Sequence, residues 1–407
     1  MPQAQQNPPL IHIVGGGFHQ VPLVETAKSM GFRVLVTDMY PNPPARAVAD
    51  EFEQIDITHK EDTLLCAKRH GIDYVVTDMT DVGVPTVAYV AENLGLPGIG
   101  YETALKFTNK YVMRKALQEK FAAHLPESRY FERAGEALRF YREAPPDRDY
   151  VVKPVNSQGS RGVFVLEKGT PDAEARVYAA YAESHERGVL VEDFVPGNEY
   201  SAETFVRDGQ VHNLTLTKKY HYVQNPCIDE RNTFLGDVDP GLEKAVFDLN
   251  ARIIRELGLP FGNTHAEYKV DGDRITLMEI AGRSAGGSIG SKIIPYLTGF
   301  DCMAALLHAL TGRPYDLKIG NYRKKFAVLR FYNFRPGKVR KIHVNENMLK
   351  GLLVFTLSDY LAVGETVKPI RDSRDRLGYF VVHGEDREDV LRREKLAEAA
   401  VKLEYDE

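Results

Sequence analysis

The segment LMEIAGRSAGG (277–287) ends an apolar run with Glu279, places Arg283 four residues on, and follows it with Ser284, Ala285, Gly286 and Gly287. A carboxylate offers hard oxygen ligands to a divalent cation. An arginine grips carboxylate or phosphate oxygens in a bidentate pair, and glycines let backbone approach a ligand closely. The same residue types also suit a plain strand end, a flexible loop and a surface ion pair. A second acid stands upstream, Glu267 in THAEYKVDGDRITLMEI (264–280), which reads as a hairpin. If Asp271-Gly272-Asp273 form a three-residue turn, Val270 pairs with Arg274 and Glu267 with Leu277. Glu279 then lies two residues along on the face of Glu267, with His265 in line, while Met278 and Ile280 point into the core. A two-residue turn is expected to put Glu279 on the opposite face. The paired-acid reading therefore requires an odd loop.

Two further stretches carry polar groups in apolar surroundings. Lys153 lies inside DYVVKPV (149–155), where a lysine needs an anionic partner or ligand. The loop NSQGSRG (156–162) is small and polar, so its N–H groups are free to cradle phosphate oxygens. It lacks the P-loop spacing, and an ordinary hairpin loop fits it as well. In VLVEDFVPGNEYSAE (189–203), Glu192 ends an apolar strand and Glu199 follows the Pro196-Gly197 turn. Two acids seven residues apart suit an adenine amino group and ribose hydroxyls, although each alone also fits a surface acid.

The elements that must position these groups read as α/β and then α+β. Strands are expected at 10–16, 32–38 and 72–78, alternating with helices at 22–31, 61–71 and 84–95. Short links between them imply a parallel sheet with right-handed crossovers. A helix is predicted over TALKFTNKYVMRKALQEK (103–120), and strands over 149–155, 162–168 and 188–195. A hairpin is expected over 199–219, turning at Asp208-Gly209, and helices at 241–258 and 301–312. Lys218-Lys219 and YHYVQNPCIDERNTF (220–234) could line a substrate cleft, but a surface loop is the expectation there. From about 325 the chain is strand-rich, and it closes on the charged stretch EDREDVLRREKLAEAAVKLEY, expected to be a helix with a solvated charged face.

Composition narrows the function classes. A net charge of −5 with interspersed signs excludes a nucleic-acid binder that relies on a whole-protein positive field. The three cysteines, Cys66, Cys227 and Cys302, are far apart and in no metal spacing, which suggests a reducing, cytoplasmic compartment. MPQAQQNPPL has neither the basic start nor the apolar run of a signal peptide and reads as a loose tail over its first nine residues. No stretch reaches the roughly 18 apolar residues that a membrane span needs. VGGGFHQ (14–20), with Asp38 ending the next strand, has the outline of a dinucleotide-binding turn, but Gln20 stands where a third glycine belongs. An NAD-dependent oxidoreductase using Gly15, Gly17 and Asp38 is thus the reading from another enzyme class.

Four motifs in order, TNKYVMRKAL, DYVVKPVNSQGSRGV, VLVEDFVPGNEYS and THAEYKV…LMEIAGRSAGG, resemble an ATP-grasp carboxylate–amine ligase, on the side of the amino-acid (dipeptide-type) ligases. The resemblance implies an amino-terminal Rossmann-like, pre-ATP-grasp domain at 1–105. It implies a two-lobed ATP-grasp domain at 106–312, with a mobile small lobe at about 120–192, and a strand-rich carboxy-terminal lobe at 313–407 that completes the large lobe. By motif position, Lys110 and Lys153 would contact ATP phosphates, and Ser157, Gly159, Ser160 and Gly162 would close over them. Glu192 and the backbone near Phe194 would take the adenine, Glu199 the ribose, and Glu267 and Glu279 magnesium, with manganese as the substitute. Arg283 would bind an acyl phosphate or substrate carboxylate beside His265. Small carboxylate and amine substrates are implied, with a homodimer as the family's analogy and no nucleic-acid or membrane partner. Ala281 stands where the family often has a metal-binding Asn, which leaves a second magnesium short of a ligand. The runner-up readings are a purine-pathway ligase or carboxylase of the same fold, whose phosphoribosyl substrate the GGG turn would hold, and a non-catalytic ATP-binding regulator.

Overall fold

The computed structural model describes residues 8–145 and 147–406, so most of the expected tail lies outside the described residues. The chain opens on β1 (Leu10–Val14), β2 (Arg33–Asp38), β3 (Glu51–Gln54) and β4 (Tyr74–Val76), all parallel, in the order β3-β2-β1-β4. Helices α1 (Val21–Ser29), α2 (Lys60–His70) and α3 (Val84–Leu94) link or follow them. Sequence reading missed β3. Its EFEQ is short, acidic and at the sheet edge, without the apolar run that marks the other strands.

The helix expected over 103–120 is two helices, α4 (Tyr101–Thr108) and α5 (Lys110–Phe121). Asn109 divides them: its backbone is extended, and its side chain accepts from the N–H groups of Tyr111 and Val112, capping α5. The cap fixes the rotation of α5, so Lys110 and Arg114, one turn apart, face the same way. A small antiparallel sheet follows, β5-β8-β6-β7, built from β5 (Ser128–Phe131), β6 (Tyr150–Pro154), β7 (Phe164–Leu166) and β8 (Val189–Asp193). Helices α6 (Ala134–Glu143) and α7 (Ala173–Ala182) pack on it around Leu138, Val152, Val177 and Val191.

The large sheet has eight strands, β13-β12-β9-β10-β11-β14-β18-β16. They are β9 (Asn198–Arg207), β10 (Gln210–Tyr222), β11 (Asn225–Phe234), β12 (Gly262–Asp271), β13 (Arg274–Ala281), β14 (Phe326–Phe331), β16 (Val354–Leu357) and β18 (Gly378–Gly384). The expected surface loop at 220–234 is instead the end of β10 and all of β11. NPCIDERNTF alternates too weakly to show as a strand, yet its partners on both sides supply the ladder. Helix α8 (Pro240–Leu257) is capped by Asp239, ends at Gly258 (φ +80°), and buries Val246, Leu249 and Ile253 beneath this sheet. Helices α9 (Ile294–Thr298) and α10 (Cys302–Thr311) lead into the strand-rich segment.

Strands β15 (Gly337–Val344), β17 (Thr366–Val367) and β19 (Val401–Tyr405) form a three-stranded sheet, with α11 (Glu346–Leu349) and α12 (Arg387–Ala399) beside it. The closing charged stretch is therefore helix only to Ala399, after which VKLEY pairs with β15. Nor is its charge wholly solvated: Glu394 is buried and accepts from Arg231 at 2.6 and 2.8 Å. Among the described residues no single helix is long and apolar enough to cross a membrane.

The β12–β13 hairpin corrects the expected register. Its turn has two residues, Gly272-Asp273, with Asp271 opposite Arg274 and Tyr268 opposite Leu277. A bulge then leaves Met278 without a partner, and Glu267 stands directly opposite Glu279. The extra residue, rather than an odd loop, restores the shared face. Met278 is thus half-buried at the bulge, and Leu277 joins Ile280 in the core.

Candidate active site

Helix α5 stitches the small sheet to the large one. Lys110 donates to the Ser157 carbonyl at 2.9 Å and to Glu279 at 2.8 Å. One turn on, Arg114 donates to Glu192 at 2.8 Å and to the bulged Met278 carbonyl at 2.7 Å. Lys153 pairs with the second oxygen of Glu192. Burial alone would raise the Glu192 carboxyl, but the Arg114 and Lys153 charges outweigh it and hold it at about 2. Glu192 is 1% exposed with both oxygens engaged, so its carboxylate is committed to cations rather than open to an adenine amino group. The Phe194 N–H is also committed, to the Asp149 carbonyl at 2.9 Å, while its ring is exposed.

The large sheet carries a second charged network. Lys219, on β10, sits between Glu199 at 2.8 Å and Glu267 at 2.6 Å. His221 and Lys269 also face Glu199, at 3.2 and 3.6 Å. His265 reaches Glu203 at 2.6 Å and Glu267 at 3.2 Å. Burial opposes the His265 imidazolium, but Glu203 and then Glu267 raise it to about 10, so the ring is charged at neutral pH. Burial would raise Glu199 and Glu267; Lys219 first, then the histidines, bring both down, Glu199 to about 2. Glu199 therefore meets Lys219, His221 and Lys269 where ribose hydroxyls were expected.

Arg283 faces the amino-terminal domain. Its Nε and Nη2 donate to the two oxygens of Asp81, both at 2.7 Å, and Nη1 to the Ser284 carbonyl at 2.9 Å. Three of its five N–H donors are used, leaving two for an oxyanion. The neighbouring Asp78 accepts from the Ser284 N–H at 2.8 Å. The loop 156–162 is fastened on three sides: Gln158 accepts from the Asp81 N–H, Ser160 donates to the Cys227 carbonyl, and the Gly159 carbonyl accepts from Ser373 N–H. Gly159, Ser160 and Gly162 all have φ between 58° and 69°. A Cβ at Gly159 would lie 2.2 Å from Ser373 Oγ, so glycine serves both the conformation and the contact. Ser157 Oγ is buried and has no hydrogen-bond partner among the described residues.

Sequence reasoning missed Arg114, Asp81 and Glu203 and treated Lys219 as loop. Arg114 follows Lys110 at helical spacing, and Glu203 follows Glu199 at an even strand spacing, so both were legible as same-face partners. Asp81 lies just past the carboxyl end of a parallel strand, where α/β sheets bind ligands. The GGG turn is filled from within. The Gly15 N–H bonds the Thr37 carbonyl, Asp38 accepts from the N–H groups of Gly16 and Tyr40, and Gln20 covers the turn, donating to the Asp78 carbonyl.

Residues 147–292 match the family described as ATP-grasp domain, and residues 330–406 the L-amino acid ligase C-terminal domain 2. Phosphoribosylamine–glycine ligase of Pyrococcus horikoshii is 23% identical over 67% of this chain and 65% of its own length. A formate-dependent phosphoribosylglycinamide formyltransferase of Synechococcus is 28% identical over 46% of this chain and 48% of its own. The chain thus spans from about half to about two thirds of these curated relatives. The L-amino acid ligase structure from Bacillus licheniformis superimposes with a TM-score of 0.79 at 19% identity, covering 99% of this chain and 100% of that one. Phosphoribosylglycinamide synthetase from Anaerococcus prevotii gives 0.73 at 17% identity, covering 98% and 100%. The chain therefore carries an ATP-grasp domain followed by a C-terminal domain of the L-amino acid ligase type, on a fold that it shares with ATP-grasp ligase structures.

Proposed function

We propose that the chain is an ADP-forming carboxylate–amine ligase acting on an amino acid or similar small acid. A carboxylate oxygen attacks the γ-phosphorus of ATP, the bond to ADP breaks, and an acyl phosphate forms. An amine then attacks the acyl carbon and phosphate leaves, giving an amide. ATP builds the electrophile, so the protein needs no nucleophile, and its task is positioning and charge neutralisation. The observation that carries this reading is Glu267 directly opposite Glu279, with Lys110 on Glu279 and Lys219 on Glu267.

These acids suit a divalent cation: they are hard oxygen donors, partly exposed, and at present neutralised by Lys110 and Lys219. Glu267 and Glu279 would hold magnesium, or manganese in its place, which supplies charge neutralisation for the terminal phosphates. Lys110 and Lys153 serve the phosphates, and the loop at 156–162 excludes water above them. Arg283, oriented by Asp81, uses its two spare N–H groups on the substrate carboxylate or acyl phosphate. His265 acts as a fixed cation that orients Glu267. The phosphoribosyl alternative lacks its expected phosphate cradle, because the GGG turn already spends two N–H groups on Thr37 and Asp38. The same Asp38 contacts disfavour the NAD alternative.

The test is ADP release from purified protein across amino-acid pairs, with Glu279→Gln as the blank. Release that requires both an acid and an amine supports the ligase. ATP binding without turnover over a broad panel supports the regulator, and NADH binding with no response to ATP supports the oxidoreductase.

A further inference from the structure

Far from that cleft, the amino-terminal domain gathers a mixed set of side chains beneath α2. On β3, Phe52 packs toward the core shared with α10, so alternation turns Glu51 and Glu53 to the other face, under α2. On α2, Cys66 and His70 are four residues apart and share the inward stripe. Ligand atoms of Glu53, Cys66 and His70 all lie within 4.8 Å of one another. Tetrahedral zinc, with bonds of about 2.0–2.3 Å, needs its ligands about 3.3–3.8 Å apart, so small side-chain shifts, opening the His70–Glu53 contact, complete the geometry.

His70 already has the arrangement of a ligand histidine. Its Nδ1 meets Glu51 at 2.8 Å, and its Nε2 points at Glu53. A histidine that ligates through one nitrogen normally gives its other N–H to a carboxylate, which fixes the ring. Glu51 fills that outer position, so an ion replacing the Nε2 proton would bridge His70 to Glu53 once the Glu53 carboxylate draws back from the ring. A second, independent feature lies on the same face. His12, on β1, is fully buried; its Nε2 meets Thr37 at 2.9 Å, and Nδ1 has no partner among the described residues. Thr37 is paired in register with Glu53. A buried imidazole with a vacant nitrogen beside a Cys/His/Glu set has no account as plain packing.

We propose that Glu53, Cys66 and His70 form a binding site for one borderline-soft divalent ion of the zinc class. His12 stands behind it and Glu51 orients His70. Thiolate, imidazole and carboxylate together select zinc or cobalt over magnesium, which prefers oxygen alone. The partly exposed side chains of Glu53 and His70 give the ion a way in. Binding releases the Cys66 thiol proton and the His70 Nε2 proton, and it clips α2 to the edge strand β3.

The experiment adds one equivalent of Co²⁺ to the chelator-stripped full chain and reads the near-ultraviolet thiolate-to-cobalt charge-transfer band. The band is expected in the wild type and in Cys227→Ser, to be lost in Cys66→Ser, and to be displaced by Zn²⁺ but not by excess Mg²⁺. Glu53→Gln, at a partly exposed position, guards against a folding failure of Cys66→Ser. It should bind Zn²⁺ at least tenfold more weakly in competition with a chromophoric chelator and lose the Zn²⁺-induced rise in Tm. No band in the wild type, a band unchanged in Cys66→Ser, or undiminished Zn²⁺ affinity in Glu53→Gln overturns the site.

Discussion

The small sheet and the large sheet each bring acids and cations together, but in opposite proportions. In the small sheet one carboxylate, Glu192, is shared by two cations and is 1% exposed. In the large sheet Glu199, Glu203 and Glu267 crowd around Lys219 and His265, and Glu267 keeps 25% of its side chain open. A buried carboxylate between two cations has no capacity left for a ligand, and removing it strands two charges. Glu267 and Glu279 are partly exposed, so each can accept a ligand beside the lysine that holds it. The first arrangement fixes the lobe; the second is free to do chemistry.

The strongest way to break this contrast is Glu192→Gln. Arg114 and Lys153 would then be buried without a full counter-charge, and a loss of about 3–5 kcal/mol is expected in urea unfolding. A variant as stable as wild type would erase the distinction. Next is acid. The folded Glu192 holds its proton less tightly than the unfolded chain, so its contribution is present above pH 4.5 and is lost as pH falls toward 2. The loss should be of order 3 kcal/mol in wild type, and this part of the pH slope should be missing from Glu192→Gln. In the large sheet the signs reverse. Glu279→Gln should leave the unfolding midpoint within about 1 kcal/mol of wild type while ADP release falls by at least about 10²-fold. Wild-type turnover in that variant would remove Glu279 from the mechanism. The smallest effect is expected at the loop: Gly159→Ala, at φ +65° and against Ser373, should cost about 1–2 kcal/mol and raise KM for ATP.

Much of this architecture was legible in the residues. Apolar runs ending in glycine or aspartate marked β1, β2 and β4, and Asp208-Gly209 marked the β9–β10 hairpin. The elements that escaped lack such signals. β3 is an acidic edge strand, β11 is polar because its neighbours supply the ladder, and β19 continues a charged helix without punctuation. The split at Asn109 was legible, since asparagine caps helices, but the surrounding helical pattern concealed it. At the site, the acids and lysines could be named from the chain, whereas their partners could not. Asp81 meets Arg283 across 202 positions, and Arg114 meets Glu192 across 78, distances that only the folded chain closes.

The unpaired Met278 decides which changes of length this part of the chain can absorb. Deleting Met278 would restore an unbroken ladder and leave Glu279 opposite Glu267. Inserting one residue while the bulge persists would instead carry Glu279 opposite Ala266, on the far side of the sheet. The deletion should therefore fold and turn over, whereas the single insertion should be well folded and inert.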